Sequence, residues 1–157
     1  MPPSFMFDVS KIDLTQVMIS KEEICEVNPQ RYEMQQMDAV VWYDVKKYFA
    51  LGRKDITENE FWIRGHIPDR PLMPGVMMIE AAAQLSSVIM KKVYNFQGFM
   101  GFAGIGYAKF RKPVEVGQQL YILAQITKFH PRKYTCLAQG MVNGDMVFET
   151  ELSGLRV

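Results

Sequence analysis

The sequence predicts an α+β domain in which an antiparallel sheet of about six strands wraps around one long central helix. A stretch of strong helix formers without a breaker runs from residue 75 to about residue 94. It is apolar nearly all round, so this helix should be buried on most of its faces. The last third of the chain consists of segments rich in β-branched and aromatic residues, which predicts strands.

Composition narrows the possible functions. The 157 residues fit one domain, and a net charge of +1 gives no global field, which argues against wholesale nucleic-acid binding. No apolar run approaches the ~18 residues of a membrane span, and the N-terminus lacks the layout of a secretory signal, so we expect a cytoplasmic protein. Cys25 and Cys136 fit no metal-binding spacing and are expected to be free thiols.

The first half of the chain contains one short helix and two strands. Residues 1–19 have no clear period and are expected to form an arm, with a single domain over residues 20–157. Ser20 and Glu23 stand at capping-box spacing, which predicts a helix that ends before Pro29. Residues 38–45 and 46–56 have the composition of strands.

The second half is organised around prolines and glycines. Pro68, Pro71 and Pro74 forbid regular structure before the long helix, and Pro74 suits its first turn. Four strands are predicted after the helix. They cover residues 98–114, 119–130, 133–142 and 145–157. Asn143 and Gly144 between the last two give a strong hairpin signal.

Two residues are expected to lower the stability of the fold at their positions unless they have a function. His66 lies on irregular backbone between Gly65 and a proline-rich loop, where catalytic residues are common. It could instead be structural and bind backbone carbonyls. Glu80 lies in the apolar helix, where burial favours the neutral carboxylic acid that a general acid must be. Alternatively, Gln84, one turn further on, could hold Glu80 by a hydrogen bond.

The start of the long helix adds a third chemical element. Gly75 allows close approach to the backbone, and the first N–H groups of a helix are unpaired and carry partial positive charge. Such groups can bind a carbonyl oxygen that becomes an oxyanion. A base, an acid and oxyanion donors within fifteen residues predict abstraction of an α-proton and departure of a hydroxyl group.

Three stretches of the sequence resemble the 3-hydroxyacyl-acyl-carrier-protein dehydratases of bacterial fatty acid synthesis, which have the hot-dog fold. They are "GHIPDRPLMPGVMMIEAAAQ" from Gly65, "NPQRYEM" from Asn28 and "AGIGYAKFRKPVEVGQQL" from Ala103. Ile67 replaces a phenylalanine of the family pattern, Gln30 a histidine and Gln118 an aspartate. An aspartate–arginine pair that usually follows the second stretch is missing.

The resemblance implies a reaction and its residues. His66 would be the base and Glu80 the acid in forming a trans-2-enoyl product. The amides of Gly75 and Val76 would bind the thioester carbonyl, with Gln84 as a further substrate-binding residue. The substrate would be carried on the phosphopantetheine of acyl carrier protein, without a metal or redox cofactor. Glu80 favours plain dehydration, because a sister group that also isomerises the double bond usually carries aspartate there.

The resemblance also implies a homodimer, in which the histidine and the glutamate of one site come from different subunits. The family often assembles such dimers into trimers of dimers. Surface arginines and lysines are expected to dock the acidic carrier protein. Three alternatives stay open: a hot-dog thioesterase acting on a similar substrate, a non-catalytic acyl-binding paralogue, and a dehydratase of polyketide or other specialised lipid synthesis.

Overall fold

The long helix follows the proline-rich loop as predicted. In the computed structural model, which describes residues 1–157, helix α2 spans Gly75–Lys92 and ends two residues before the predicted boundary. Pro74 precedes it, and its carbonyl accepts hydrogen bonds from the N–H groups of Met77 and Met78. Most residues of α2 are buried, which confirms a central helix. Neither helix combines the length and the apolar character that a bilayer-spanning segment needs.

An antiparallel sheet surrounds this helix and confirms the α+β class. Its seven strands are β1 (Ile19–Ser20), β2 (Ala39–Asp44), β3 (Phe49–Asp55), β4 (Met100–Phe110), β5 (Gln119–His130), β6 (Lys133–Val142) and β7 (Asp145–Arg156). Their order across the sheet is β1-β2-β3-β5-β6-β7-β4. Six of them are the predicted strands, and the two-residue β1 is additional.

The predicted capping box and the predicted hairpin are both present in the structure. Helix α1 spans Lys21–Val27 and starts with the predicted capping box. The Ser20 hydroxyl accepts from the Glu23 N–H at 3.2 Å, and the Glu23 carboxylate accepts from the Ser20 N–H at 2.7 Å. Asn143 and Gly144 form the hairpin between β6 and β7, with φ angles of 50° and 83°.

The predicted strand over residues 46–56 begins later than expected. Residues 46–48 form a turn, because the Asp44 carboxylate accepts hydrogen bonds from the N–H groups of Lys46 and Lys47 at 2.9 and 3.1 Å. An aspartate that binds its own following backbone in this way favours a turn over a strand. The turn closes the hairpin of β2 and β3.

The N-terminal arm lies on the face of the sheet that is turned away from α2. Apolar arm residues between Phe5 and Leu14 pack against a small cluster on that face, which includes Leu51 and Leu123. The Phe7 ring centroid is 5.3 Å from that of Trp42. The arm therefore covers apolar surface that the sheet would otherwise expose.

Strand β4 ends the sheet. One edge of β4 pairs with β7, and its other edge has no partner within the chain. Most of its side chains are exposed, including the large apolar residues Phe102, Ile105, Tyr107 and Phe110. A long apolar edge of this kind is a template for pairing with a further strand.

Candidate active site

The loop that carries His66 is held at both ends by backbone hydrogen bonds. The His66 N–H donates to the Trp62 carbonyl at 2.9 Å. At the far end, the Met73 N–H donates to the Val114 carbonyl at 2.8 Å, which ties the loop to the segment between β4 and β5. The prolines exclude regular structure from this loop, while these contacts fix its position beside the start of α2.

The His66 ring has a defined tautomer. Its Nδ1 lies 3.0 Å from the carbonyl oxygen of Leu72. A carbonyl oxygen can only accept, so Nδ1 carries the hydrogen, and Nε2 of the neutral ring is the unprotonated nitrogen. The side chain is exposed, so Nε2 is accessible. The hydrogen bond to Leu72 thus fixes the ring without using the nitrogen that a general base needs.

The start of α2 lies beside this histidine. His66, Gly75 and Val76 all line one cavity of about 480 Å³. The N–H groups of Gly75 and Val76 donate to no acceptor in the protein, as expected for the first turn of a helix. A Cβ on Gly75 would lie 2.8 Å from the Phe110 ring, so only glycine leaves room for this contact. The structure therefore brings the predicted base together with the predicted oxyanion donors.

Glu80 lies in a different place, in a cleft of about 50 Å³. Its side chain is only partly buried, whereas the sequence predicted a desolvated carboxyl group. The Gln84 amide donates to Glu80 Oε1 at 2.7 Å, which is the hydrogen bond expected between residues one turn apart. This bond leaves Oε2 as the carboxyl oxygen without a partner in the protein.

Gln84 is held on several sides. Its Nε2 also donates to the Met34 carbonyl at 2.7 Å, and its Oε1 accepts from the Gln36 N–H at 2.8 Å. Both amide hydrogens are therefore used within the protein. In this structure Gln84 orients Glu80 and anchors the segment around residues 34–36, and its direct contact with substrate stays a prediction.

Within one chain, His66 and Glu80 line different pockets. The cavity that His66 lines and the cleft that Glu80 lines have no residue in common. Phe110 of β4 borders the first and Phe102 borders the second. Eight residues of strand span roughly 25 Å. The Glu80 cleft and the His66 cavity, called the two half-sites below, thus adjoin β4 at positions eight residues apart.

The two half-sites differ in their electrostatics. Arg111 and Lys112 line the His66 cavity, and each has one carboxylate partner, Glu149 at 2.7 Å and Asp145 at 2.9 Å. In the Glu80 cleft, burial raises the pKa of the Tyr134 hydroxyl, which therefore stays neutral. The Tyr134 hydroxyl and the Ser86 hydroxyl are 2.7 Å apart.

Sequence reasoning missed three residues that border these half-sites. Phe110 packs on Gly75. The sequence predicted that Phe110, in the "KFRKPV" stretch, belongs to a strand, but not that it contacts the start of α2. Gln30 and Tyr134 line the Glu80 cleft. Gln30 had a signal, because it departs from the family pattern, whereas nothing in the local sequence points to Tyr134.

No group of three or more histidine, cysteine, aspartate or glutamate side chains in the chain is arranged to hold a metal ion. Cys25 and Cys136 are free thiols, as predicted, and burial raises the pKa of the Cys136 thiol to about 12. Cys136 is therefore unreactive at neutral pH.

A single long helix enclosed by an antiparallel sheet, with a histidine loop before the helix, defines a hot-dog-fold protein. The model of the FabA-like domain matches residues 28–151, and the chain therefore belongs to that family. The 3-hydroxyacyl-[acyl-carrier-protein] dehydratase FabZ of Bacillus cereus is 35% identical over 137 residues, which cover 87% of this chain and 94% of that protein. This confirms the predicted resemblance to hot-dog dehydratases.

Solved structures share the fold at low sequence identity. The dehydratase heterocomplex ApeI:P from Xenorhabdus doucetiae matches with a TM-score of 0.72 and 13% identity, over 85% of this chain and 90% of that chain. A mutant acyl-CoA hydrolase from Staphylococcus aureus matches with a TM-score of 0.55 and 13% identity, over 71% and 68% of the respective chains. At these identities the likeness concerns the fold alone.

Proposed function

We propose that this protein dehydrates 3-hydroxyacyl thioesters on acyl carrier protein to trans-2-enoyl thioesters in fatty acid biosynthesis. One observation carries the proposal. A histidine with a free Nε2 lies beside unpaired helix amides, and a carboxyl group with a free Oε2 lies near the other end of the same unpaired strand. Similarity to a dehydratase over most of the chain supports the same reaction.

The first chemical step belongs to the His66 half-site. Nε2 of His66 removes a proton from the carbon next to the thioester carbonyl. Negative charge then moves to the carbonyl oxygen, where the N–H groups of Gly75 and Val76 stabilise it together with the positive end of the α2 dipole. Because these two N–H groups are unpaired in the protein, they lose no internal hydrogen bond when they bind this oxygen.

The second step belongs to the Glu80 half-site. Protonated Glu80 donates its proton to the 3-hydroxyl group, the C–O bond breaks, and water leaves as the double bond forms. His66 then holds the proton taken from carbon, Glu80 is a carboxylate, and proton exchange with solvent restores both groups. No electron is gained or lost, so the proposed reaction needs no redox cofactor, and the proposal assigns both proton transfers to His66 and Glu80 without a metal ion.

The two steps require the half-sites to meet, and a dimer formed through β4 provides this. If two copies of β4 pair antiparallel about Gly106, Phe102 of one protomer comes opposite Phe110 of the partner subunit. Phe102 borders the Glu80 cleft and Phe110 borders the His66 cavity. A two-fold axis at this edge thus joins each acid to the base of the other protomer, and it covers the exposed apolar side chains of β4.

The docking contacts for an acidic carrier in this proposal are the basic side chains around the His66 cavity. Arg111 and Lys112 line the cavity and Arg70 lies on the neighbouring loop, and each of the three also has a carboxylate partner within the chain. A carrier protein that docks here would deliver its thioester to His66 and to the amides of Gly75 and Val76. The carrier and the dimer are both part of the proposal, and larger assemblies of dimers are compatible with it.

Mass spectrometry of acyl carrier protein loaded with 3-hydroxyacyl groups of several chain lengths tests this function. We expect the loaded carrier to lose the mass of one water, because elimination leaves the enoyl group on the thioester. Release of the free carrier thiol would instead identify a thioesterase. An unchanged carrier mass at every chain length, under conditions where a known dehydratase reacts, would identify a non-catalytic acyl-binding protein.

A further inference from the structure

Tyr32 combines a strained backbone with a solvent-exposed aromatic ring. Its φ angle of 54° lies in the left-handed region that favours glycine and asparagine, and the residue is 90% exposed. Among the large apolar residues only the N-terminal Met1 is more exposed. The fold therefore maintains a costly conformation at a residue whose ring buries almost no surface within the chain.

Tyr48 shows what a tyrosine in this conformation does when its contact lies within the chain. Its φ angle is 61°, and its ring stacks on that of Tyr94 with the centroids 5.0 Å apart. The other non-glycine residues with positive φ tolerate this region, because they are the asparagines Asn95 and Asn143. Tyr32 is the remaining case, and its exposure leaves the ring free for a contact outside the chain.

Six hydrogen bonds hold the loop that presents Tyr32. Three come from the Arg31 guanidinium group, which donates at 2.7 or 2.8 Å to the carbonyl oxygens of Cys25, Asn28 and Gln30. The other three join the loop to Gln84, through the Asn28 side-chain amide, the Met34 carbonyl and the Gln36 N–H. Because Gln84 also bonds to Glu80, the loop is fixed beside the Glu80 cleft. A ring on such a rigid support loses little conformational entropy when it binds.

Val76 is the corresponding residue of the other half-site. It is 73% exposed, more than any large apolar residue except Tyr32 and the two chain ends, and it lines the His66 cavity. The dimer proposed above brings the Glu80 cleft of one protomer to the His66 cavity of its partner. The two most exposed large apolar residues inside the chain thus belong to the two surfaces that meet, and packing them together removes both from water.

We propose that Tyr32 packs against Val76 of the partner subunit and closes the site that the two half-sites form. This inference rests on the proposed function and its dimer. The ring shields the N–H groups of Gly75 and Val76 from water, and their hydrogen bonds to the thioester carbonyl are stronger in a drier site. Tyr32 is a positioning residue in this arrangement, because it touches no reacting atom.

Disulfide crosslinking tests the contact directly. Tyr32→Cys and Val76→Cys are combined with Cys25→Ser, which removes the partly exposed natural thiol. Oxidation should join two chains and give twice the chain mass on a non-reducing gel, because each new cysteine faces its counterpart in the partner. Tyr48→Cys with Val76→Cys in the same background is the matched control, and it should keep the mass of one chain.

The crosslink separates this inference from the reaction. A single-chain mass for the Tyr32→Cys and Val76→Cys pair, or equal crosslinking of the control, would overturn the contact. Turnover plays no part in this measurement. A protein that crosslinks as expected but forms no enoyl product would contradict the proposed function and leave the contact standing.

Tyr32→Asn measures what the ring contributes to the dimer. Asparagine tolerates the positive φ angle, so the loop should keep its backbone. A two-fold dimer contains this contact twice, and at about tenfold for each the dimer dissociation constant should rise about hundredfold. Tyr32→Phe keeps the ring and should leave the constant within about threefold of the wild type.

Tyr48→Asn is the matched control for the ring. It loses the stacking on Tyr94 within the chain, so its melting temperature should fall while its dimer dissociation constant stays near that of the wild type. Analytical ultracentrifugation measures the constants. An unchanged dimer dissociation constant in Tyr32→Asn, or an equal rise in Tyr48→Asn, would contradict the role of Tyr32.

Discussion

Replacing Glu80 with glutamine is expected to lower turnover by about 10²–10⁴-fold, the usual contribution of a general acid. Glutamine keeps the shape of the side chain, and its amide oxygen can still accept the hydrogen bond that Gln84 donates to Glu80 at 2.7 Å. The fold should therefore survive while the proton for the leaving hydroxyl is lost. Steady-state rates of enoyl formation, with circular dichroism to check the fold, measure the effect.

His66→Ala should be inactive to a comparable degree, because no other side chain offers a free imidazole nitrogen beside the helix amides. The controls are His130→Ala and Glu58→Gln, which change exposed residues away from both half-sites. Both should keep wild-type turnover. Turnover near the wild-type level in Glu80→Gln would show that Glu80 is not the acid. The same result in His66→Ala would show that His66 is not the base.

Ile105→Glu is expected to abolish both dimer formation and turnover. Ile105 lies beside Gly106, where the inferred two-fold axis crosses β4, and its side chain is 49% exposed in the single chain. A glutamate here costs the isolated chain little, but in the dimer it would be desolvated beside Tyr107 of the partner subunit, and the like charge of the second copy would lie diagonally across the strand pair. We expect a folded monomer whose turnover is lower by on the order of 10²-fold or more. Light scattering and the dehydration assay report the two effects.

Val17→Glu provides the matched control for this substitution. Val17 is also 49% exposed, but it lies in the N-terminal arm and borders neither half-site. The control variant should keep the oligomeric state and turnover of the wild type. A monomeric Ile105→Glu protein with full turnover would show that one chain contains a complete site, and an unchanged dimer would show that β4 is not the contact.

The main elements of the fold could be predicted because their signals are local. The apolar stretch after Pro74 predicted α2, the pair Asn143-Gly144 predicted a hairpin, and Ser20 with Glu23 predicted the start of α1. The extent of the strand after residue 46 could not be predicted in this way. Its true start depends on hydrogen bonds from the Asp44 carboxylate that compete with strand pairing.

The placement of the candidate site residues could be predicted in part. His66 and Glu80 stand out because their residue types conflict with their local sequence, and Gly75 follows from the start of the helix. The separation of His66 and Glu80 into different pockets is a property of the fold, because it depends on which part of β4 each pocket adjoins. The same is true of Tyr134, which reaches the Glu80 cleft only because β6 lies in the sheet beside β7.

The central claim is that each site takes its base from one protomer and its acid from the other. Mixing the inactive His66→Ala and Glu80→Gln proteins, after subunit exchange has been verified with differently tagged chains, tests it most directly. Half of the dimers are then mixed, and each has one intact site of two, so about a quarter of the wild-type turnover should return. No recovery of turnover in a mixture with proven exchange would contradict the account.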